Sequence, residues 1–136
     1  MTICTAHRDQ VLARIRAGVS DPTPVGAVVA AALQATSQHR PSVQLDRWVL
    51  MPDHLHVLFR FNEDAVTGLA GVVRGFKAAS TRAVNHLLRR PGTPLWQRNY
   101  YEHIVRDDTD LDRIRRYIEG NPSAWIRSRA GRPMPT

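Results

Sequence analysis

Hydrophobic and polar positions alternate with period two most clearly from His54 to Phe61. Leu55, Val57, Phe59 and Phe61 fall on one face of a strand, and His54, His56, Leu58 and Arg60 on the other. Ser42 to Met51 predicts a preceding strand, joined to it by a tight turn at Pro52-Asp53, and Met1 to Thr5 predicts a short first strand. Ser20 to His39 opens on Ser, Asp and Pro and continues as an apolar, Ala-rich helix. Asn62 to Asp64 offers caps for a long helix from about Ala65 to Leu88, with Val66, Leu69, Val73, Phe76, Ala83 and Leu87 at helical spacing. After a loop at Arg89 to Pro94, strand character returns over Tyr100 to Arg106, and Asp107 to Asn121 predicts a helix with acids in its first turn. The order β-α-β-β-α-β-α is the split βαβ pattern of a ferredoxin-like α+β domain with an antiparallel sheet. Its two long helices should cover the apolar face of the His54 strand and leave the histidine face open. One domain over 1–136 is expected, with a loose Gly/Pro/Arg-rich tail from about 127.

Composition adds a sign to this outline. The chain of 136 residues carries a formal charge of +7. Of its 19 basic residues only Lys77 is lysine, and a compositional bias of the genome accounts for that choice but not for the excess of bases. Such a surface suits a polyanion, nucleic acid first. The single Cys4 excludes an internal disulfide framework and a cysteine-based zinc site. No apolar run reaches membrane-spanning length and the first residues lack a signal-peptide pattern, so a cytoplasmic protein without membrane contact is expected.

The chemistry lies in two places. His54 and His56, at i and i+2 on one strand face, can converge on one divalent ion if a third ligand arrives from elsewhere; the competing reading is packing. On the last helix Leu111, Ile114 and Ile118 form the apolar stripe, Tyr117 lies beside it, Arg113 one turn before and Asn121 one turn after. Pro122 biases Asn121 away from helical geometry. Tyr117 reads either as a half-buried boundary residue or as a nucleophile whose phenol needs activation. From Trp96 to His103 aromatic, polar and basic residues interleave, a texture suited to single strands, although Trp96 reads equally as a core plug. Tyr100 and Tyr101 are rival nucleophiles, and His103 is a further candidate ligand or base. Arg74, Lys77 and Arg82 on the long helix either line a nucleic-acid path or form a solvated basic face. Asp53, preceding His54, would point to the opposite face and supply no carboxylate ligand.

The stretches "WVLMPDHLHVLFRF", "GFKAASTRAVN" and "LWQRNYYEHIVRDDTDLDRIRRYIEGNPSAW", in that order, resemble the HUH-type single-strand DNA transposases, and most nearly the REP-associated tyrosine transposases. The resemblance runs from about Val43 to Trp125, with "MTICT" matching the first strand. It implies that His54 and His56 bind Mg²⁺ or Mn²⁺, that Asn121 supplies a third, amide ligand, and that Tyr117 is the nucleophile. The implied reaction cleaves and rejoins single-stranded DNA, at hairpin ends, through a 5′-phosphotyrosine link, in a monomer or a homodimer. Arg74, Lys77, Arg82, Trp96, Arg98 and Arg113 are the expected DNA contacts. That group usually has residues ahead of the first strand which help to read the hairpin, and little precedes it here. The alternative reading is a non-catalytic single-stranded nucleic-acid-binding domain descended from such an enzyme.

Overall fold

The computed structural model describes residues 1–62 and 68–129, with side chains as far as Trp125. The expected helix start at Ala65, with Val66 and the caps at Glu63 and Asp64, lies outside the described residues, as does the tail from 130 onward. The strands are β1 (Thr2–Cys4), β2 (Ala13–Arg16), β3 (Val19–Pro22), β4 (Val43–Met51) and β5 (His54–Phe61); the helices are α1 (Pro24–His39), α2 (Leu69–Leu88) and α3 (Asp108–Arg129).

β5 forms the centre of the main sheet, antiparallel to β1 on one side and β4 on the other, and its first five residues are buried. The expected strand at Tyr100 to Arg106 is displaced and irregular. Residues 95–101 instead run beside β1, bonded through Thr2 and Tyr101 (N–H to O 2.7 and 2.9 Å), Gln97 N–H to Cys4 O (2.8 Å) and Ala6 N–H to Leu95 O (2.9 Å). Trp96 and Tyr101 meet Thr5 and Thr2, so the edge segment bulges between those bridges and cannot hold a continuous ladder. With that segment the order is the ferredoxin-like one expected, the last strand at the edge beside the first.

Leu55 and Val57 of β5, Val29 and Leu33 of α1, and Val73, Phe76 and Val84 of α2 are all buried in one core cluster. α1 begins where Thr23 Oγ1 accepts Gly26 N–H at 3.0 Å. A Cβ on Gly26 would stand 1.8 Å from Leu12 O, so the helix can seat there only with glycine. The expected helix start at Ser20 is a correction: Ser20 to Pro22 belong to the β2–β3 hairpin, whose turn places Ala17 (φ 51°) and Gly18 (φ 74°) in the left-handed region.

The second correction concerns the histidine face. α3 lies across it, so this side is roofed, and His54 and His56 are 1% and 3% exposed. Two ion-pair sets hold α3 down. A bulge between Leu45 and Arg47 turns Asp46 toward the helix, where Arg115 donates Nε and Nη2 to its carboxylate at 2.8 and 2.6 Å. Arg47 Nε reaches Glu119 at 3.0 Å. Asp107 Oδ1 caps the start of α3 by accepting Asp110 N–H at 2.8 Å. The helix then runs through Pro122 to Arg129, past the point where a loose tail was expected.

Candidate active site

Strand alternation and strand pairing put the imidazoles in place. Thr2 faces His56 across the β1–β5 ladder, so its hydroxyl reaches His56 Nδ1 at 2.9 Å. Asp53 sits in the β4–β5 turn, where alternation no longer dictates direction, and its Oδ1 lies 2.7 Å from His54 Nδ1. This corrects the expectation that Asp53 points away. Each Nδ1 is therefore committed, and the two Nε2 atoms turn toward one another at 3.0 Å. Burial, and then the neighbouring His54, push His56 down to about 3, so its ring is neutral at physiological pH and keeps a lone pair. Burial alone would raise the Asp53 carboxyl, but bonds from His54 and Arg8 outweigh it and hold it below the usual range. Cys4, buried in the adjacent position, has its thiol pushed up by desolvation and is unreactive by that criterion.

α3 brings the rest. Helical geometry persists through Asn121, so Asn121 does lie one turn beyond Tyr117 and donates Nδ2–H to Tyr117 O at 3.3 Å. Asn121 is 3% exposed, its side chain lies beside His56, and its Oδ1 makes no well-aligned hydrogen bond among the described residues. The Tyr117 ring stands edge-on to His56 with centroids 5.3 Å apart, while half of the residue remains exposed. Trp125 packs over His54 at 6.2 Å and closes the inner end. Tyr117, His56, Thr2, His103 and Arg113 share a cleft of about 320 Å³. Asp110 organises its outer wall, pairing with Arg113 and accepting His103 Nε2–H at 2.9 Å, and these bonds, Arg113's foremost, hold its carboxyl far below the usual range.

The donor set fits a divalent cation. Two nitrogens 3.0 Å apart match adjacent ligands at roughly 2.1 Å from one octahedral ion. An orphaned amide oxygen in the same buried corner is the kind of group a cation satisfies. Among the described residues no three His, Cys, Asp or Glu side chains cluster, and the Asn121 amide is one further donor available beside the histidine pair.

The expected DNA contacts divide. Arg113 lies in the Tyr117 cleft. Lys77, Arg82 and Arg98 line a separate, larger groove of about 1140 Å³ between α2 and residues 89–98. Lys77 is already engaged, donating to Gln97 O and Arg98 O at 2.8 and 3.1 Å. Arg74 is exposed on α2. Trp96 is the correction: 7% exposed, it packs against Phe76 and donates its indole N–H to Ser80 Oγ at 2.8 Å, which leaves no free ring face for a base. Sequence reasoning passed over Thr2 and Arg8 and turned Asp53 away from the site; the signal for Asp53 was the turn beside the histidines.

The chain belongs to the IS200-like transposase family, whose model matches residues 3–121. An uncharacterised protein of Haemophilus influenzae is 28% identical, the match covering 92% of this chain and 79% of the relative. A second protein of that organism, named as a candidate REP-associated tyrosine transposase, is 30% identical over 67% of this chain and 55% of its own. The fold matches a REP-associated tyrosine transposase bound to a REP hairpin, with a TM-score of 0.67, 21% identity, and coverage of 91% of this chain and 65% of that one. A candidate transposase of Deinococcus radiodurans matches with a TM-score of 0.60 and 25% identity over 87% and 85% of the two chains. The chain thus spans just over half of the named curated relative. No described helix is long and apolar enough to cross a membrane.

Proposed function

We propose that this chain is a REP-associated tyrosine transposase that cleaves and rejoins single-stranded DNA, with Tyr117 as nucleophile and His54, His56 and Asn121 holding Mg²⁺ or Mn²⁺. The observation that carries this reading is the approach of Tyr117, solvent-accessible, to His56 within one cleft. Family membership supports the transposase role, and the hairpin bound by the structural relative supports hairpin-ended DNA as the substrate.

The residues divide the work. Imidazole and amide donors suit Mn²⁺ at least as well as Mg²⁺. When bound, the ion supplies positive charge to the scissile phosphate and stabilises charge that builds on its oxygens. Tyr117 Oη attacks phosphorus, the bond from phosphorus to the 3′ oxygen breaks, and a 5′-phosphotyrosine and a free 3′-OH result. The phenol loses one proton and the 3′ oxygen gains one, so the step is proton-neutral overall. His103 is a titratable group on the same cleft. Rejoining is the reverse: a 3′-OH attacks the phosphotyrosine and Tyr117 leaves, so no external energy source is required. Arg113 would meet the strand at the cleft, while Arg74, Lys77, Arg82 and Arg98 would meet it on the α2 side.

The test mixes the protein with Mn²⁺ and single-stranded hairpin DNA from the gene's own flanks and looks for a covalent adduct on a denaturing gel. An adduct lost both in Tyr117→Phe and with a chelator is expected. One that persists in Tyr117→Phe transfers the role to Tyr100 or Tyr101.

A further inference from the structure

Arg8 and Asp53 touch neither Tyr117 nor the space beside the two Nε2 atoms, yet their geometry is unusually constrained. Asp53 is 7% exposed and both its oxygens are engaged, Oδ1 with His54 Nδ1 at 2.7 Å and Oδ2 with Arg8 Nε at 3.0 Å. Arg8 arrives there through a left-handed turn, His7 and Arg8 standing at φ 56° and 54°. Two successive non-glycine residues in that region are disfavoured, because Cβ crowds the following carbonyl oxygen there. Thr5 clamps the same place, donating its N–H to Asp53 O at 3.0 Å, with its hydroxyl 3.1 Å from that oxygen and 2.8 Å from Asp9 O. A strained turn retained and braced in this way has a local purpose, and what it delivers is the Arg8 guanidinium.

We propose that Arg8 and Asp53 form an orienting relay for His54, an inference that rests on reading His54 as a metal ligand. Arg8 fixes the carboxylate. The carboxylate keeps a proton on His54 Nδ1 and so aims the Nε2 lone pair at the ion, and its charge makes that nitrogen a stronger donor. Asp53 is not itself a ligand, because it lies on the Nδ1 side of the ring with both oxygens occupied. The Nε2 atoms of His54 and His56 stand 3.0 Å apart on the side of the rings opposite Asp53. Thr2 gives His56 a weaker, uncharged version of the same support. Both are positioning residues.

Two readouts test this on the full chain. Long-range ¹H–¹⁵N spectra of the metal-free protein should show His54 Nδ1 protonated, and unprotonated in Asp53→Ala. Mn²⁺ titration followed by the electron-paramagnetic signal of the free ion should show affinity abolished in His54→Ala and 10–100-fold weaker in Asp53→Ala. Arg8→Met, at a side chain 30% exposed, keeps the fold and should weaken Mn²⁺ several-fold. An unchanged His54 tautomer in Asp53→Ala, or parental Mn²⁺ affinity in both relay variants while His54→Ala binds none, overturns the relay alone. Mn²⁺ binding that survives His54→Ala overturns the metal reading and the relay with it.

Discussion

Arg115 on α3 and Asp46 on β4 make a two-point ion pair, with Nε and Nη2 donating at 2.8 and 2.6 Å to a carboxylate only 4% exposed. The relationship matters because α3 carries both Tyr117 and Asn121. Removing Arg115 leaves a buried charge with only Arg47 and Arg60 nearby, at 3.5 and 3.8 Å. Arg115→Ala should therefore destabilise the chain, seen as a lower midpoint in urea denaturation. It should also lower adduct formation, although Arg115 does not line the cleft. Normal adduct yield in a variant so destabilised would show that α3 is held chiefly by its apolar stripe.

The same pair sets an acid limit. The bonds from Arg115 hold the Asp46 carboxyl below its ordinary value, so the unfolded chain takes up a proton there before the folded one does. Its contribution is complete above about pH 4, where the free carboxyl is ionised, and is lost as pH falls through the lower folded value. Stability measured down the pH scale should fall more gently in Asp46→Asn than in the parent below that point, after starting lower at neutral pH. Parallel curves would assign the acid sensitivity elsewhere, with Asp53 and Asp110 the next groups to examine.

Asn121 presents the opposite balance between fold and chemistry. A buried amide oxygen without a partner costs stability that an apolar side chain of similar size does not. Asn121→Leu should melt at or above the parental temperature and yet bind Mn²⁺ at least tenfold more weakly. A fall in melting temperature with Mn²⁺ binding intact would mean that the amide is structural and the third donor lies elsewhere.

The elements that sequence made legible were those whose neighbours do not alter the local pattern. Alternation in His54 to Phe61 gave the strand and its faces, and the apolar spacing gave α2. The hairpin at Ala13 to Pro22 was hidden because its turn uses Ala17 and Gly18 rather than an Asn-Gly or Asp-Gly signal, with Ser, Asp and Pro just ahead of the true cap at Thr23. The edge segment misled because its pairing is set by bulged bridges to Thr2 and Thr5, not by its own alternation. The roof over the histidines followed from a charge pair between Asp46 and Arg115, distant in sequence and without a periodic signature. Thr2 at His56 depends on strand register, and Asp53 at His54 on turn geometry; neither follows from side-chain period. Strand alternation and helical spacing singled out His54, His56, Tyr117 and Asn121, family resemblance chose among their possible roles, and the helix through Pro122 is what brings Asn121 near the others.

Trp96 supplies the sharpest separation of fold from DNA contact. Its burial against Phe76 and its bond to Ser80 make it part of the core between α2 and the edge segment. Trp96→Ala should cost about 3–5 kcal/mol, whereas Trp96→Phe retains most of the packing and loses chiefly the indole bond, at about 1 kcal/mol. Affinity of Trp96→Phe for single-stranded DNA, measured where the variant is fully folded, should equal the parent's. Arg82→Ala and Arg98→Ala should behave in the reverse manner, with unchanged stability and a salt dependence of binding shallower by roughly one ion each. Loss of affinity in Trp96→Phe at full folding would place a base against this ring, and the groove beside α2 would then have to open for DNA to enter.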